Sequence, residues 1–178
     1  MRRAIFFDRD GVLNKIVERD GKPASPRTPE ELVIVPEATE VIAAARALGF
    51  QIFVVTNQPD VRRGLMSHGD LDSIHDKLAA SLPLDAIAAC RHDNSDACAC
   101  RKPKPGLILG LAAAHDVDLA ASFMIGDQDR DIACGKAAGV RTVLLARPYN
   151  SGAGADHVLE SLSQLIAVMD EASSPNAV

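Results

Sequence analysis

Ala4-Ile5-Phe6-Phe7-Asp8-Arg9-Asp10-Gly11-Val12 is the stretch whose reading decides the fold. Its opening apolar run, rich in Phe and Ile and stopped by an acid, suits a short buried strand. Residues i and i+2 leave a strand on the same side, so Asp8 and Asp10 project into one space, and Gly11 permits the turn that follows. Two close carboxylates repel unless a cation or a proton stands between them. Strand-end aspartates also serve as turn formers and helix caps, and the rest of the chain decides between the two readings.

Outward from this stretch, strand and helix patterns alternate. Glu37–Leu48 carries Val41, Ala44, Ala45 and Leu48 at helical spacing, with Gly49 at the C-cap position. Gln51–Val55 is a second apolar β-branched run, ending at Thr56-Asn57. Asp70–Leu82 reads as a helix with Leu71, Ile74 and Leu78 on one face, and Ala86–Ala89 as a short strand. Gly106–His115 is a helix opened by Pro105, Phe123–Ile125 a strand closed by Gly126-Asp127, Asp129–Ala138 a helix capped by Gly139, and Arg141–Leu145 a strand. Leu159–Met169 reads as the last helix. Pro23, Pro26 and Pro29 make Lys15–Pro36 a long irregular connection, a length that belongs to lids or to disorder. The alternation predicts an α/β fold: a three-layer, doubly wound, mostly parallel sheet with no large cap domain. Residues 1–172 are expected to form one domain and 173–178 a flexible tail. Ligands of such sheets bind beyond the carboxyl ends of the strands. Asp8-Arg9-Asp10, Thr56-Asn57-Gln58 and Gly126-Asp127 should therefore meet at one mouth.

Composition narrows the classes. A chain of 178 residues with 47% hydrophobic and 24% charged residues is globular, which excludes collagen, coiled coil and disorder. Aromatics are 3% with no Trp, too few for the stacking platforms of single-strand binders, and a net charge of −5 does not attract polyanions, so no nucleic-acid partner is expected. No run approaches the ~20 apolar residues of a membrane span, so no membrane partner is expected. Arg2-Arg3 is followed by an apolar run shorter than the ~7–15 residues of a secretory signal. A cytoplasmic monomer is the expectation, and four cysteines in a reducing compartment argue against disulfides.

Two metal sites are expected instead. Asp8, Asp10 and Asp127 around one mouth form a hard-oxygen set suited to Mg²⁺. Cys90-x-His92-x5-Cys98-x-Cys100 offers three thiolates and an imidazole, the donor set of a closed, structural zinc site. Unlinked core cysteines are the alternative, but Asp93-Asn94-Ser95-Asp96 between them is a polar turn rather than core. Cys134, beside Ile132 and Ala133, reads as a small core residue.

With these motifs in place the chain resembles the haloacid dehalogenase superfamily of phosphohydrolases. The resemblance rests on Asp8-Arg9-Asp10-Gly11-Val12, Thr56-Asn57-Gln58, Lys102 and Gly126-Asp127-Gln128-Asp129-Arg130-Asp131, in that order. It implies a Mg²⁺-dependent phosphatase. Asp8 would be the nucleophile that becomes an aspartyl-phosphate. Asp10 would protonate the leaving oxygen and then deprotonate water. Thr56 and Lys102 would hold the phosphoryl oxygens, and Asp8, Asp127 and the Asp10 carbonyl would hold the metal. The chemistry is coherent, because a carboxylate meeting a phosphate dianion needs cations to offset the charge, and covalent capture splits one hard displacement into two. A receiver-like binding module would share the acid cluster but lacks a second acid two residues after the nucleophile.

The zinc loop at 90–100 runs into Arg101-Lys102-Pro103-Lys104-Pro105-Gly106, a sequence that resembles the D-glycero-D-manno-heptose 1,7-bisphosphate phosphatases and their relatives, the histidinol-phosphate phosphatases. The implied substrate is a small phosphorylated sugar used for surface polysaccharide, with histidinol phosphate as the alternative. Asn57, Arg63, Arg101 and Gln128 are the substrate-binding candidates, Arg101 as the cation for a second phosphate. Three departures from the heptose pattern bear on substrate contacts: Pro59-Asp60, Gln128, and the length of Lys15–Pro36. His68, His75, His115 and His157 are expected to be solvated.

Overall fold

In the computed structural model, which describes residues 1–152 and 154–173, the opening strand β1 (Ala4–Phe7) is buried at every position. Its alternation sends Ile5 and Phe7 into one apolar layer and Ala4 and Phe6 into the other. The neighbours repeat the division. In β4 (Gln51–Asn57), Ile52 and Val54 join the first layer, Phe53 and Val55 the second. In β6 (Phe123–Gly126), Phe123 and Ile125 oppose Met124. Strands buried on both faces read as continuous apolar runs, which is why these were legible without alternation.

The main sheet has the order β5-β4-β1-β6-β7-β8, with every pairing parallel. Here β5 is Ala86–Cys90, β7 Arg141–Leu145 and β8 His157–Leu159. The first layer is covered by α1 (Ala38–Ala47), α3 (His68–Ser81) and α6 (Leu165–Ser173), which bury Val41 and Ile42, Leu71 and Ile74, and Leu165 and Met169. The second is covered by α4 (Gly106–His115) and α5 (Asp129–Ala138), through Ile108, Ala112 and Cys134. The expected three-layer, doubly wound architecture is thus the one observed. The chain winds outward from β1 through β4 to β5, then returns to β6 on the other side. That reversal puts the ends of β1, β4 and β6 side by side, where ligands of such sheets bind.

Three expectations need correction. Lys15–Pro36 is not irregular throughout: β2 (Val17–Arg19) and β3 (Lys22–Ala24) pair antiparallel about Asp20-Gly21, both at positive φ (52° and 70°). An Asp-Gly pair between short strands is a recognised hairpin signal that the prolines masked. The helix expected from Leu159 starts at Leu165, because Leu159 ends β8, whose three residues pair with Val143–Leu145. Ser173, expected in a tail, closes α6 and accepts a hydrogen bond from Arg3 Nη1 at 3.0 Å, while 174–178 lie outside the described residues. A short helix α2 (Pro59–Arg62) follows β4 directly.

Phe53 anchors the second layer, stacked on Phe6 at 5.4 Å between ring centroids and packed against the His115 ring at 4.8 Å. His115 is therefore a packing residue rather than a solvated one. Truncating a fully buried Phe typically costs about 3–5 kcal/mol. Phe53→Ala should lose that much in urea denaturation with the slope unchanged.

Candidate active site

The turn after β1 is tight because Arg9's carbonyl accepts from Leu13 and Asn14, and Gly11 sits at φ 82°. A side chain at Gly11 would also run into the Asp127 carboxylate. Gly126, ending β6, has the same constraint against Asp131, so both glycines are needed to let acids close in.

Asp8, Thr56, Lys102 and Asp127, nominated from sequence, are all buried and line one cavity of about 100 Å³ with Asp10, Asn57 and Gln128. Lys102 Nζ lies 2.8 Å from Asp8 Oδ1 and 2.7 Å from Asp131 Oδ1, and donates to the Val55 carbonyl at 2.9 Å. Burial alone would favour the neutral amine, but Asp131 and Asp8 hold the ammonium well above its usual pKa. Burial pushes the Asp8 carboxyl upward, and Asp131, Asp127 and Asp10 push the same way against Lys102. Burial, with Asp131 nearby, likewise raises Asp127, although Tyr149 donates its hydroxyl to Asp127 Oδ2.

Asp8, Asp127 and Asp131 can each aim a carboxylate oxygen within 4.8 Å of the others. Three carboxylates against one ammonium leave two negative charges, and buried Asp127 Oδ1 has no hydrogen-bond partner. An oxygen-rich site in deficit by two charges fits Mg²⁺. The Asp10 carboxylate stands apart from this set. It accepts from Arg9 Nε (3.0 Å), Arg9 Nη2 (3.1 Å), Asn14 Nδ2 (3.0 Å) and Gln58 Nε2 (2.8 Å). Burial raises its pKa, but the Arg9 charge and these donors outweigh that and hold it below the ordinary range. Its side chain is not placed as a metal ligand, in keeping with a role for its carbonyl.

The remaining candidates divide. Asn57 and Lys102 exchange reciprocal hydrogen bonds, side chain to main chain, both 3.1 Å, so Asn57 fixes the lysine's backbone as well as lining the mouth. Gln128 lines the small cavity. Arg63 and Arg101 line a second cavity of about 440 Å³ that shares Asn57, Arg130 and Pro23–Ser25 with the first. Arg63, however, is forked onto Asp93 at 2.7 Å twice, so its guanidinium is not a free donor as sequence suggested.

Cys90, His92, Cys98 and Cys100 also converge within 4.8 Å. Their donor atoms are 3.3–3.8 Å apart along the contacts Cys90–His92, Cys90–Cys98, Cys90–Cys100 and Cys100–His92. A tetrahedron with Zn–S bonds of ~2.3 Å has edges near ~3.8 Å, so the spacing fits zinc. Burial and the neighbouring thiols push the Cys100 thiol up to about 12, whereas at Cys98 burial is outweighed by main-chain donors and the other thiols, which bring it down to about 7.

Sequence reasoning missed four contributors. Asp131 was quoted within its motif but given no role; its position four residues after Asp127, across the start of a helix, was the available signal. Arg9 is fully buried and links Asp10 to His75 Nε2 at 3.2 Å, so His75 is half-buried and held near a pKa of about 4 by burial first and Arg9 second. Gln58 joins Asp10 to Thr56 Oγ1 at 2.8 Å. Tyr149, the only tyrosine, lies just past β7.

The HAD-hydrolase-like family model matches residues 99–165. The D-glycero-beta-D-manno-heptose-1,7-bisphosphate 7-phosphatase of Bordetella bronchiseptica is 36% identical over 142 residues, covering 77% of this chain and 76% of that protein. The enzyme of the same name from Helicobacter pylori is 37% identical, covering 80% and 83%. The crystal structure of the B. bronchiseptica D,D-heptose 1,7-bisphosphate phosphatase, complexed with magnesium and phosphate, superposes with a TM-score of 0.80 at 31% identity, covering 95% of this chain and 98% of that one. Likeness of this extent, in sequence and in backbone, means that the chain belongs to the heptose-1,7-bisphosphate phosphatase family of HAD-like hydrolases and is a phosphatase.

Proposed function

We propose that the chain hydrolyses D-glycero-D-manno-heptose 1,7-bisphosphate to the 1-phosphate, through a phosphoryl group carried on Asp8. The observation that carries this reading is the pair of joined cavities. The small one ends on Asp8 and Lys102; the larger is lined by cations, with room for a sugar and a second anion. Asp8, Asp127 and Asp131, with the Asp10 carbonyl, would hold Mg²⁺. Bound there, the ion supplies positive charge between the phosphate dianion and the attacking carboxylate. Asp8 attacks phosphorus while Lys102 and Thr56 hold the equatorial oxygens, and Asn57 keeps Lys102 in register. Asp10 as the anion described above is in the state that takes a proton from water in the second half-reaction. To protonate the leaving sugar oxygen in the first, it must leave the Arg9 fork and take up a proton. Zinc on Cys90, His92, Cys98 and Cys100 would pin the loop that delivers Arg101 and Lys102. Reducing cytoplasm keeps those thiols available for it.

The deciding assay compares kcat/KM on heptose 1,7-bisphosphate and histidinol phosphate in one buffer. Preference for histidinol phosphate would replace this substrate.

Asp8→Asn should leave the fold intact and reduce turnover below about a tenth of wild type in a phosphate-release assay, since the amide is a poor nucleophile and metal ligand. Arg101→Ala should raise KM for the bisphosphate and lower its kcat/KM roughly 10–150-fold, the worth of a hydrogen bond to a charged group at about 1.5–3 kcal/mol. A monophosphate should be much less affected, whereas Lys102→Ala should lower kcat on both. Metal analysis should find about one zinc per chain, and Cys98→Ser should lower the melting temperature and raise KM.

A further inference from the structure

The larger cavity is ringed by Arg19, Lys22, Arg27, Arg63, Arg101 and Arg130. These cations are not equivalent. Arg19 pairs with Glu31, Arg27 with Asp60 and Arg63 with both Asp60 and Asp93. Among the described residues, Lys22, Arg101 and Arg130 make no ion pair, so they are the charges open to a ligand.

Arg101 is nonetheless held. Its Nε donates to Asn94 Oδ1 at 2.8 Å and its Nη1 to the His92 carbonyl at 3.2 Å. Asn94 belongs to the turn between His92 and Cys98, which the four metal-binding side chains anchor only at its ends. The turn is braced partly from within, where Asp96 Oδ2 accepts the Asp93 N–H at 2.8 Å and the Asp93 carbonyl accepts the Asp96 N–H at 3.1 Å, and partly from outside. Asp93 Oδ1 accepts the Asn94 N–H at 2.7 Å, and the same carboxylate is forked by Arg63 Nε and Nη2. Arg63 follows α2, and Asp60 within α2 faces it at 3.6 Å. The other oxygen of Asp60 accepts from Arg27 Nε at 2.7 Å, and Arg27 lies just past the β2–β3 hairpin that shares the cavity rim. The links run without a gap from Arg27 through Asp60, Arg63, Asp93 and Asn94 to Arg101, around the wall of the cavity. A chain of charges is a better case for a measurable effect than an isolated surface pair.

Resting on the bisphosphate reading, we propose that Asp60 is a positioning residue of the second-phosphate subsite: through Arg63, Asp93 and Asn94 it sets the pose of Arg101, and through Arg27 it ties that pose to the hairpin segment. Asp60 lines the larger cavity but not the small one that ends on Asp8 and Lys102, so it stands away from the reacting atoms. Its removal therefore weakens contacts made equally in ground and transition states, which moves KM and not kcat.

The test is steady-state kinetics of the metal-loaded enzyme on heptose 1,7-bisphosphate and on p-nitrophenyl phosphate. Asp60→Asn should raise KM for the bisphosphate about three- to fivefold, the upper part of the range for loss of one partly exposed ion pair. Its kcat, and both constants on the aryl phosphate, should stay within about twofold of wild type. Because Asp60 acts through Arg101, adding Asp60→Asn to Arg101→Ala should change nothing further, a coupling that a general loss of stability would not show. An unchanged KM in Asp60→Asn, or the same factor in both backgrounds, overturns the proposal. Should Asp60→Asn lose aryl-phosphate turnover, Asp93→Asn cuts the same chain nearer Arg101 and is judged by the same KM criterion. A wild type indifferent to the second phosphate overturns the substrate reading, and this inference with it. A selective wild type with an unaffected Asp60→Asn overturns this inference alone.

Discussion

One ammonium organises the site. Lys102 Nζ is buried and touches Asp8, Asp131 and the Val55 carbonyl, so it joins the ends of β1 and β4 to the start of α5. Without Lys102 the acids would be unpaired buried charges, and removing such a partner commonly costs about 3–5 kcal/mol. The arrangement also leaves a deficit by design: Lys102 balances only part of the carboxylate charge around it. The same contacts that hold three elements together thus create the demand for a divalent cation and a place for a phosphoryl group.

The sheet and most helices were legible because fully buried parallel strands announce themselves as apolar runs, and because Gly49 and Gly139 punctuate helix ends. The site was legible for a related reason. Its acids stand at the ends of those runs, and strand order brings the ends together. What stayed hidden depends on partners distant in sequence. Nothing near Arg9 in the chain says that its guanidinium will be fully buried between Asp10 and His75. Tyr149 gave no sign that it would reach Asp127. The short strand β8 lacks the length to form a pattern, and it exists because β7 offers an edge. Arg63 shows the same dependence on a remote partner. A cation near a phosphate site was read as a ligand contact, whereas Asp93, thirty residues on, claims it.

The cysteine-rich loop, which leaves the sheet at Cys90, and the hairpin, which lies outside the main sheet, face each other across the larger cavity. The larger cavity is thus walled by segments whose geometry is set locally: a Cys/His cluster on one side, an Asp-Gly turn on the other. Asp8, Thr56 and Asp127 stand at rigid strand ends, and Lys102 reaches Asp8 from the loop. This division allows loop sequence to change what is bound while the reacting groups keep their spacing.

The position of β1 has a consequence for how the molecule is made. The strand precedes the other strands of the main sheet along the chain, yet it lies at the middle of that sheet, with Ala4 beside Gln51 on one side and Ile5 beside Phe123 on the other. Until the segment around Phe123 has left the ribosome, one edge of β1 has no partner and Asp8 has neither Asp127 nor Asp131 for company. Non-local parallel pairing of this kind is slow to form, because a long loop must close before any contact rewards it. Until that segment is in place, the apolar Ile5-Phe6-Phe7 run lacks one of its two strand neighbours. The acids at the mouth come together only when β6 and the start of α5 take their places beside β1.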